Sequence, residues 1–482
     1  MKEVSSRVLR RYAERCLGLK NSLRQPGDGR FQPMIAAITL LWSMLIARIL
    51  RENSFHAVEQ LTRSAGCNSL GIQRSFGDDT LGYFTERLNP AITRAALVST
   101  LHRAKRNKAF ENTRFIGLAI DGTTAGHSAQ HGCALCRPQH NAKKEVIGYS
   151  HQLATISVVG TGLSLPFDGE PYGPGDSEYA AGQRLLTRAM KALGPRFADY
   201  LVVDGEYATA PFLHAADRAG IKVVARLKDN LPELSQSVER RFARQKPTST
   251  HRDGQDRIEI WDAVDFAPWE TLHWDRVRVI RYRQHKPDGS VIQAEWLTNF
   301  SLREAGSLSL YRIAKSRWEI ENQGFNDAKN RYGLEHICHH QQNSILLVWL
   351  ITFLAMMIER LYRVRYLHRG THRRCSADQL CRFLWLSLSR AGLINSSGSR
   401  PGLWARGAVC DTSSAYELFA RGKSLVENSP LRAVPSLMAL PSVKCALRND
   451  WTLQGSETAG QRPECLTRTG AARETLVSFA SG

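Results

Sequence analysis

The sequence predicts an α/β protein: a mixed sheet with helices packed on its faces, interrupted by a β-rich insertion and preceded by a helical N-terminal domain. Three observations lead there. Up to about Asn112 apolar residues recur at helical spacing. From Phe115 the pattern becomes short apolar runs that later alternate with helices. Strand-like runs then return between about Leu231 and Phe300, before helical periodicity resumes.

In chain order, Ile35, Ile38, Leu41, Leu45 and Ile49 mark one helical face, and Asp78-Asp79-Thr80 is the start signal of a further helix. Three candidate strands follow: FIGLAI from Phe115, ending at Asp121, YSHQLATISVV from Tyr149 and LSLPF from Leu163. An amphipathic helix spans roughly Glu178 to Leu193. YLVV then ends at Asp204, a short helix covers about Ala208 to Ala219, and IKVVARL starts at Ile221. Within the β-rich segment, Lys286-Pro287-Asp288-Gly289 separates two alternating runs and signals a hairpin. Helical spacing runs from about Ser307 through Tyr332 and on to Leu361. The expected divisions are 1–112 (helical), 113–230 and 301–368 (two parts of the α/β domain), 231–300 (β-rich insertion) and 369–482 (a weakly ordered tail).

The 482 residues suffice for two to four domains, and 65 Lys+Arg against 45 Asp+Glu leave a formal charge of +20. That balance favours a polyanionic partner or an anionic membrane surface. With 43% hydrophobic and 23% charged residues, the chain is neither disordered throughout nor a polytopic membrane protein. The longest charge-free apolar runs, Met34 to Ala47 and Ile345 to Ile358, suit buried core helices better than spans of about 20 residues. Ten cysteines are too few for a disulfide scaffold, and the N-terminal residues lack an apolar signal core, so a reducing cytoplasm is expected.

Three acids stand out. Asp121 and Asp204 each follow an apolar strand and precede a glycine. An Asp-Gly is often only a turn, yet two of them at the ends of strands that can lie side by side suggest converging carboxylates. The third, Glu321, shares a helical stripe with Arg317 and Phe325, somewhat off which lies Lys329; a plain Arg317/Glu321 pair on a solvated face is the alternative.

IDGTT at 120–124, VVDGEYA at 202–208 and RWEIENQGFNDAKNRYGLEH at 317–336 resemble the three signature blocks of the IS4-type DDE transposases of bacterial insertion sequences. The resemblance covers roughly residues 75 to 365. It implies an RNase H-like fold in which Asp121, Asp204 and Glu321 form the catalytic, metal-holding triad and Arg317 and Lys329 contact DNA. The group's tyrosine three residues before the arginine is replaced here by Ala314, the nearest being Tyr311, and Lys329 lies one residue further from the glutamate than is common. Two Mg²⁺ or Mn²⁺ ions about 3.5–4 Å apart are implied as cofactors, since oxygen-only ligands suit hard cations. The implied partners are double-stranded DNA, both terminal inverted repeats and target, and further copies of the chain, in the bacterial cytoplasm at the nucleoid and without a membrane. A nuclease or resolvase on the same fold, or an inactive DNA-binding relative, are the alternatives.

Other signals are weaker. Cys133 and Cys136 form a CxxC with His127, His131 and His140 nearby; a Zn²⁺ site is conceivable, but four paired ligands are not evident and a polar loop is the preferred reading. Glu335, His336, Cys338, His339 and His340 read as polar or DNA-facing surface. Gly422-Lys423-Ser424 lacks the glycine-rich cradle of a phosphate loop.

Overall fold

The computed structural model describes residues 5–24, 27–228, 230–367 and 375–396, all within one compact unit. Six helices come first: α1 (Ser6–Arg15), α2 (Leu19–Ser22), α3 (Ala37–Ile49), α4 (Phe55–Arg63), α5 (Asp78–Arg87) and α6 (Ala91–Arg106). Four strands follow, β1 (Gly117–Ser128), β2 (Arg137–His140), β3 (Val146–Val159) and β4 (Leu165–Tyr172). Then come α7 (Glu178–Leu193), β5 (Tyr200–Val203), α8 (Ala210–Arg218), β6 (Lys222–Arg226) and α9 (Pro232–Phe242). Four more strands, β7 (Ser249–Asp253), β8 (Asp256–Phe266), β9 (Val277–His285) and β10 (Val291–Thr298), precede α10 (Ser307–Ser316), α11 (Asn326–Tyr332), α12 (Gln342–Leu361) and α13 (Ala377–Ser396).

The ten strands among the described residues form one mixed sheet in the order β2-β3-β1-β5-β6-β10-β9-β8-β7, with β4 also paired to β3. Only β1–β5 and β5–β6 are parallel; the other pairs are antiparallel. The strands of the β-rich segment extend the edge of the main sheet, because β10 adds antiparallel to β6. Parallel pairing of β1, β5 and β6 requires crossovers, which α7 and α8 supply.

Two boundaries differ from the sequence expectation. β1 does not stop at Asp121 but runs on to Ser128, because β3 pairs with it from Asp121↔Thr155 to Ser128↔Tyr149. The helix expected from Ser307 to Tyr332 is broken: α10 ends at Ser316 and a wide π-helical turn, Ile320–Phe325, leads into α11. In the expected tail, Ala377–Ser396 is helical, with Leu380, Leu384 and Leu388 buried at i, i+4 spacing. The Gly422-Lys423-Ser424 run and the remainder of that tail lie outside the described residues.

Strand alternation divides the core. Leu118, Ile120, Leu201 and Val203 point to the face covered by α7 and α12, whereas Ala119, Tyr200 and Val202 point to the face packed by Leu310, Ile313 and Ala314 of α10. α12 is long and apolar enough to cross a membrane, yet 94% of its most apolar window is buried inside the protein, between β4 and the helices α3, α5 and α6. Its Arg360, 3% exposed, donates to the Ser164 and Gln323 carbonyls and to Asp327 Oδ2 at 2.7 Å. The core helix thus fixes the segment that carries Glu321.

Replacing Arg360 by Met leaves the Ser164 and Gln323 carbonyls without this donor and the Asp327 carboxylate with Arg331 alone. Denaturant unfolding of Arg360→Met should show a loss of about 3 kcal/mol or more; a loss below about 1 kcal/mol would show that the clamp is dispensable.

Candidate active site

The parallel register pairs Ile120 with Val203, so Asp121 and Asp204 stand at the same level on neighbouring strands. By the same alternation Asp121 shares the side of Ala119 and Asp204 that of Val202, the side covered by α10. Arg317 is the residue that ends α10. Its guanidinium donates through Nη1 to Asp121 Oδ2 at 3.2 Å and through Nη2 to Glu321 Oε1 at 2.8 Å. The field of Asp204 also reaches it. The structure therefore gathers all three acids about one cation.

The Arg317/Glu321 i,i+4 pair exists and is half in, half out: the Glu321 side chain is 45% exposed, while that of Arg317 is 12% exposed and turns inward to Asp121, itself 14% exposed. Burial, reinforced by the negative charges of Glu321 and Glu178, pushes the Asp121 carboxyl up to about 7 although Arg317 acts against it. Asp204 moves the other way. Burial would raise it, but the ammonium of Lys228, 2.7 Å from its Oδ2, with the Gly205 amide and Arg317, holds it below the usual carboxylate range. Arg317 itself is held above its ordinary value, since its acid partners outweigh burial.

Asp121-Gly122 lies within β1, whereas Asp204-Gly205 opens a 3-10 turn in which the Tyr207 amide donates to the Asp204 carbonyl at 3.2 Å. Neither Gly122 nor Gly205 has positive φ. A Cβ on Gly122 would come within 2.0 Å of Glu178 Oε2, and one on Gly205 within 2.9 Å of the Lys228 stem. Each glycine makes room for a charged neighbour of the aspartate before it. Glu178, at the start of α7 behind the Ser177 cap, accepts from the hydroxyls of Tyr207 at 3.2 Å and Tyr172 at 3.3 Å. Sequence reasoning missed both Glu178 and Lys228. Tyr207 in VVDGEYA was the one local sign of Glu178, and nothing in the text marks Lys228.

The remaining positions are more distant. Lys329 pairs with Glu335 at 3.1 Å. Glu319 turns away, accepting from the Gly160 amide at 3.0 Å. The Tyr311 hydroxyl bonds Asp253 and the Lys315 ammonium instead of facing the acids. Cys133 and Cys136 meet none of the three histidines near them in sequence; their neighbours are His151 and His340. His131 rests edge-on against Tyr149. The polar cluster before α12 is dispersed: His339 pairs with Glu86 and Cys338 contacts Arg48.

A family model described as transposase DDE domain matches residues 113–358, just over half of the chain. The chain belongs to the transposase DDE domain family. The matched span contains β1, β5 and the π-helical turn, and so all three acids of the site. No curated protein matches the chain. Among solved structures, a cryo-EM structure of a piggyBac transposase synaptic complex with hairpin DNA has a TM-score of 0.41 and 10% identity over 90% of this chain and 87% of that one, a likeness too slight to carry an inference.

The raised Asp121 carboxyl fixes a sign. Between the unfolded value near 3.8 and about 7 the folded chain binds a proton that the unfolded chain has released, so stability falls as pH rises through that window. Without added Mg²⁺ or Mn²⁺, Asp121→Asn should melt several degrees above wild type at pH 8, with the gap narrowing towards pH 5. An Asn variant that melts lower at pH 8 would show that Asp121 is not strained by its charge.

Proposed function

We propose that this protein is an IS4-type transposase of a bacterial insertion sequence, cutting DNA at terminal inverted repeats and joining the freed ends to a target. In this reading Asp121, Asp204 and Glu321 are the catalytic acids of an RNase H-like core. The observation that carries it is the convergence, within the family-matched span, of three carboxylates from β1, β5 and the π-helical turn, two of them bonded to one guanidinium whose field also reaches the third. The strand order β4-β3-β1-β5-β6, three antiparallel strands followed by two parallel ones, agrees with that core.

The donor set fits divalent cations. Oxygen-only ligands on three carboxylates suit Mg²⁺ or Mn²⁺, and a buried Asp121 that holds its proton to about 7 is an anion short of positive charge. Asp121, Asp204 and Glu321 would hold the ions between them. When bound, such a pair supplies the charge that activates an attacking oxygen and stabilises the departing one at phosphorus.

The chain's own groups prepare this chemistry. Lys228 keeps Asp204 ionised at neutral pH and therefore ready to act as a ligand. Arg317 keeps Asp121 and Glu321 from repelling each other apart, and its guanidinium is placed to bind a phosphate of the transposon end. Lys329 exchanges Glu335 for a neighbouring phosphate in the same way. The charge of +20 supplies the wider attraction to DNA, and the helices before Asn112 recognise the terminal repeats. Further copies of the chain join it to act on paired ends, in the cytoplasm at the nucleoid.

A supercoiled plasmid carrying the DNA that flanks the coding region provides the test. Wild-type protein with Mg²⁺ should nick it and insert the ends into a second DNA. Asp121→Ala, Asp204→Ala and Glu321→Ala should each reduce nicking to background while shifting flank DNA on a gel as wild type does. Full nicking by Asp204→Ala would overturn the site assignment, and nicking without insertion would make the protein a nuclease.

A further inference from the structure

Apart from the three acids, one cluster gathers metal-binding atoms from three separated parts of the chain. Cys133 and Cys136 lie in the loop between β1 and β2, His151 in β3 and His340 just before α12. The two Sγ atoms are 3.9 Å apart. His151 Nε2 is 3.4 Å from Cys133 Sγ and 3.5 Å from Cys136 Sγ; His340 Nε2 is 3.1 Å from Cys136 Sγ and 3.1 Å from His151 Nε2. All four ligand atoms lie within 4.8 Å of one another.

These are five of the six edges of a tetrahedron; the sixth, from Cys133 Sγ to the His340 ring, is no longer than 4.8 Å. With Zn–S near 2.3 Å and Zn–N near 2.05 Å, tetrahedral geometry puts sulfurs about 3.8 Å apart, sulfur and nitrogen about 3.6 Å and nitrogens about 3.3 Å. Hydrogen bonds alone account for the cluster poorly. Each thiol or ring nitrogen carries at most one proton towards the others, and two ring nitrogens facing at 3.1 Å already need one proton between them. A disulfide is no better, since bonded sulfurs lie about 2.05 Å apart.

The surroundings are those of a built site. His151 is wholly buried and Cys136 1% exposed. The Gly132 amide points at Cys136 Sγ from 3.5 Å, a donor suited to a thiolate. Gly132 is itself required: a Cβ there would come within 2.4 Å of His340 Nδ1, so only glycine lets that ring enter.

The geometry points to a structural Zn²⁺ site formed by Cys133, Cys136, His151 and His340, separate from the three acids and independent of the catalytic reading. Two thiolates and two imidazoles with every position filled by protein select Zn²⁺ and leave no place for substrate. The site ties the 333–341 segment, which connects the Glu321-bearing turn and α11 to α12, onto β3, the strand whose Thr155 faces Asp121. His340 stands next to Gln341, whose side chain caps α12 by accepting from the Asn343 and Ser344 amides. Zinc would thereby fix one end of the core helix to the sheet.

The test is metal analysis of the full-length chain, expressed with Zn²⁺ and purified without chelator. Wild type should hold one zinc per chain. Cys136→Ser and His340→Ala should lose most of it, and Gly132→Val should lower it, while Cys67→Ser keeps it. Co²⁺ exchanged into wild type should give the intense visible bands of a tetrahedral thiolate site, absent in His340→Ala. Chelation should lower the Tm of wild type by several degrees, restored by Zn²⁺ but not by Mg²⁺. Wild-type protein that is folded yet holds less than a tenth of a zinc per chain and takes up no Co²⁺, or that contains a Cys133–Cys136 disulfide, would overturn the proposal.

Discussion

Mutual repulsion among like charges is the constraint around which this protein is organised. Asp121 and Asp204 are set side by side by a parallel strand register, and Glu321 is brought to them from a helical segment almost two hundred residues along the chain. Left to itself such a group would protonate, and Asp121 goes part of the way. The arrangement holds because Arg317 spans two of the acids and Lys228 neutralises the third. Around it the scaffold is rigid: α10 covers the face on which the aspartates emerge, and Arg360 of the buried α12 grips the turn that presents the glutamate.

Much of this was legible in the text and some was not, for physical reasons. Helix α7 and strand β5 were readable because amphipathic spacing and a fully apolar run act locally. The end of β1 was not: the apolar run stops at Asp121, while the strand continues because β3 supplies hydrogen bonds as far as Tyr149, and that pairing is non-local. The break at Ile320–Phe325 was hidden for a similar reason. Its residues keep helical spacing, and it is Arg360 on another helix, with Arg317 reaching back to β1, that holds the turn in place.

The site shows the same division. The three acids could be picked out by their strand-end and helical contexts and by their resemblance to a family, but Glu178 and Lys228 are visible only as the side chains that crowd against Gly122 and Gly205. The Cys133/Cys136 pair announced itself, yet its partners did not. His340 lies 204 positions from Cys136, and His131, the histidine nearest to the pair in sequence, rests against Tyr149 instead. Spacing rules find ligands that share a loop; they are silent about ligands that share only a fold.

The central claim is that three distant carboxylates make one cation site, and metal-directed cleavage of the chain tests it without any DNA. Fe²⁺ in place of Mg²⁺, with ascorbate and peroxide, generates hydroxyl radicals that cut the backbone beside bound metal. The account predicts cuts next to Asp121, Asp204 and Glu321 together, all suppressed by excess Mg²⁺. Cuts beside only one of them, or nowhere near the three, would contradict it.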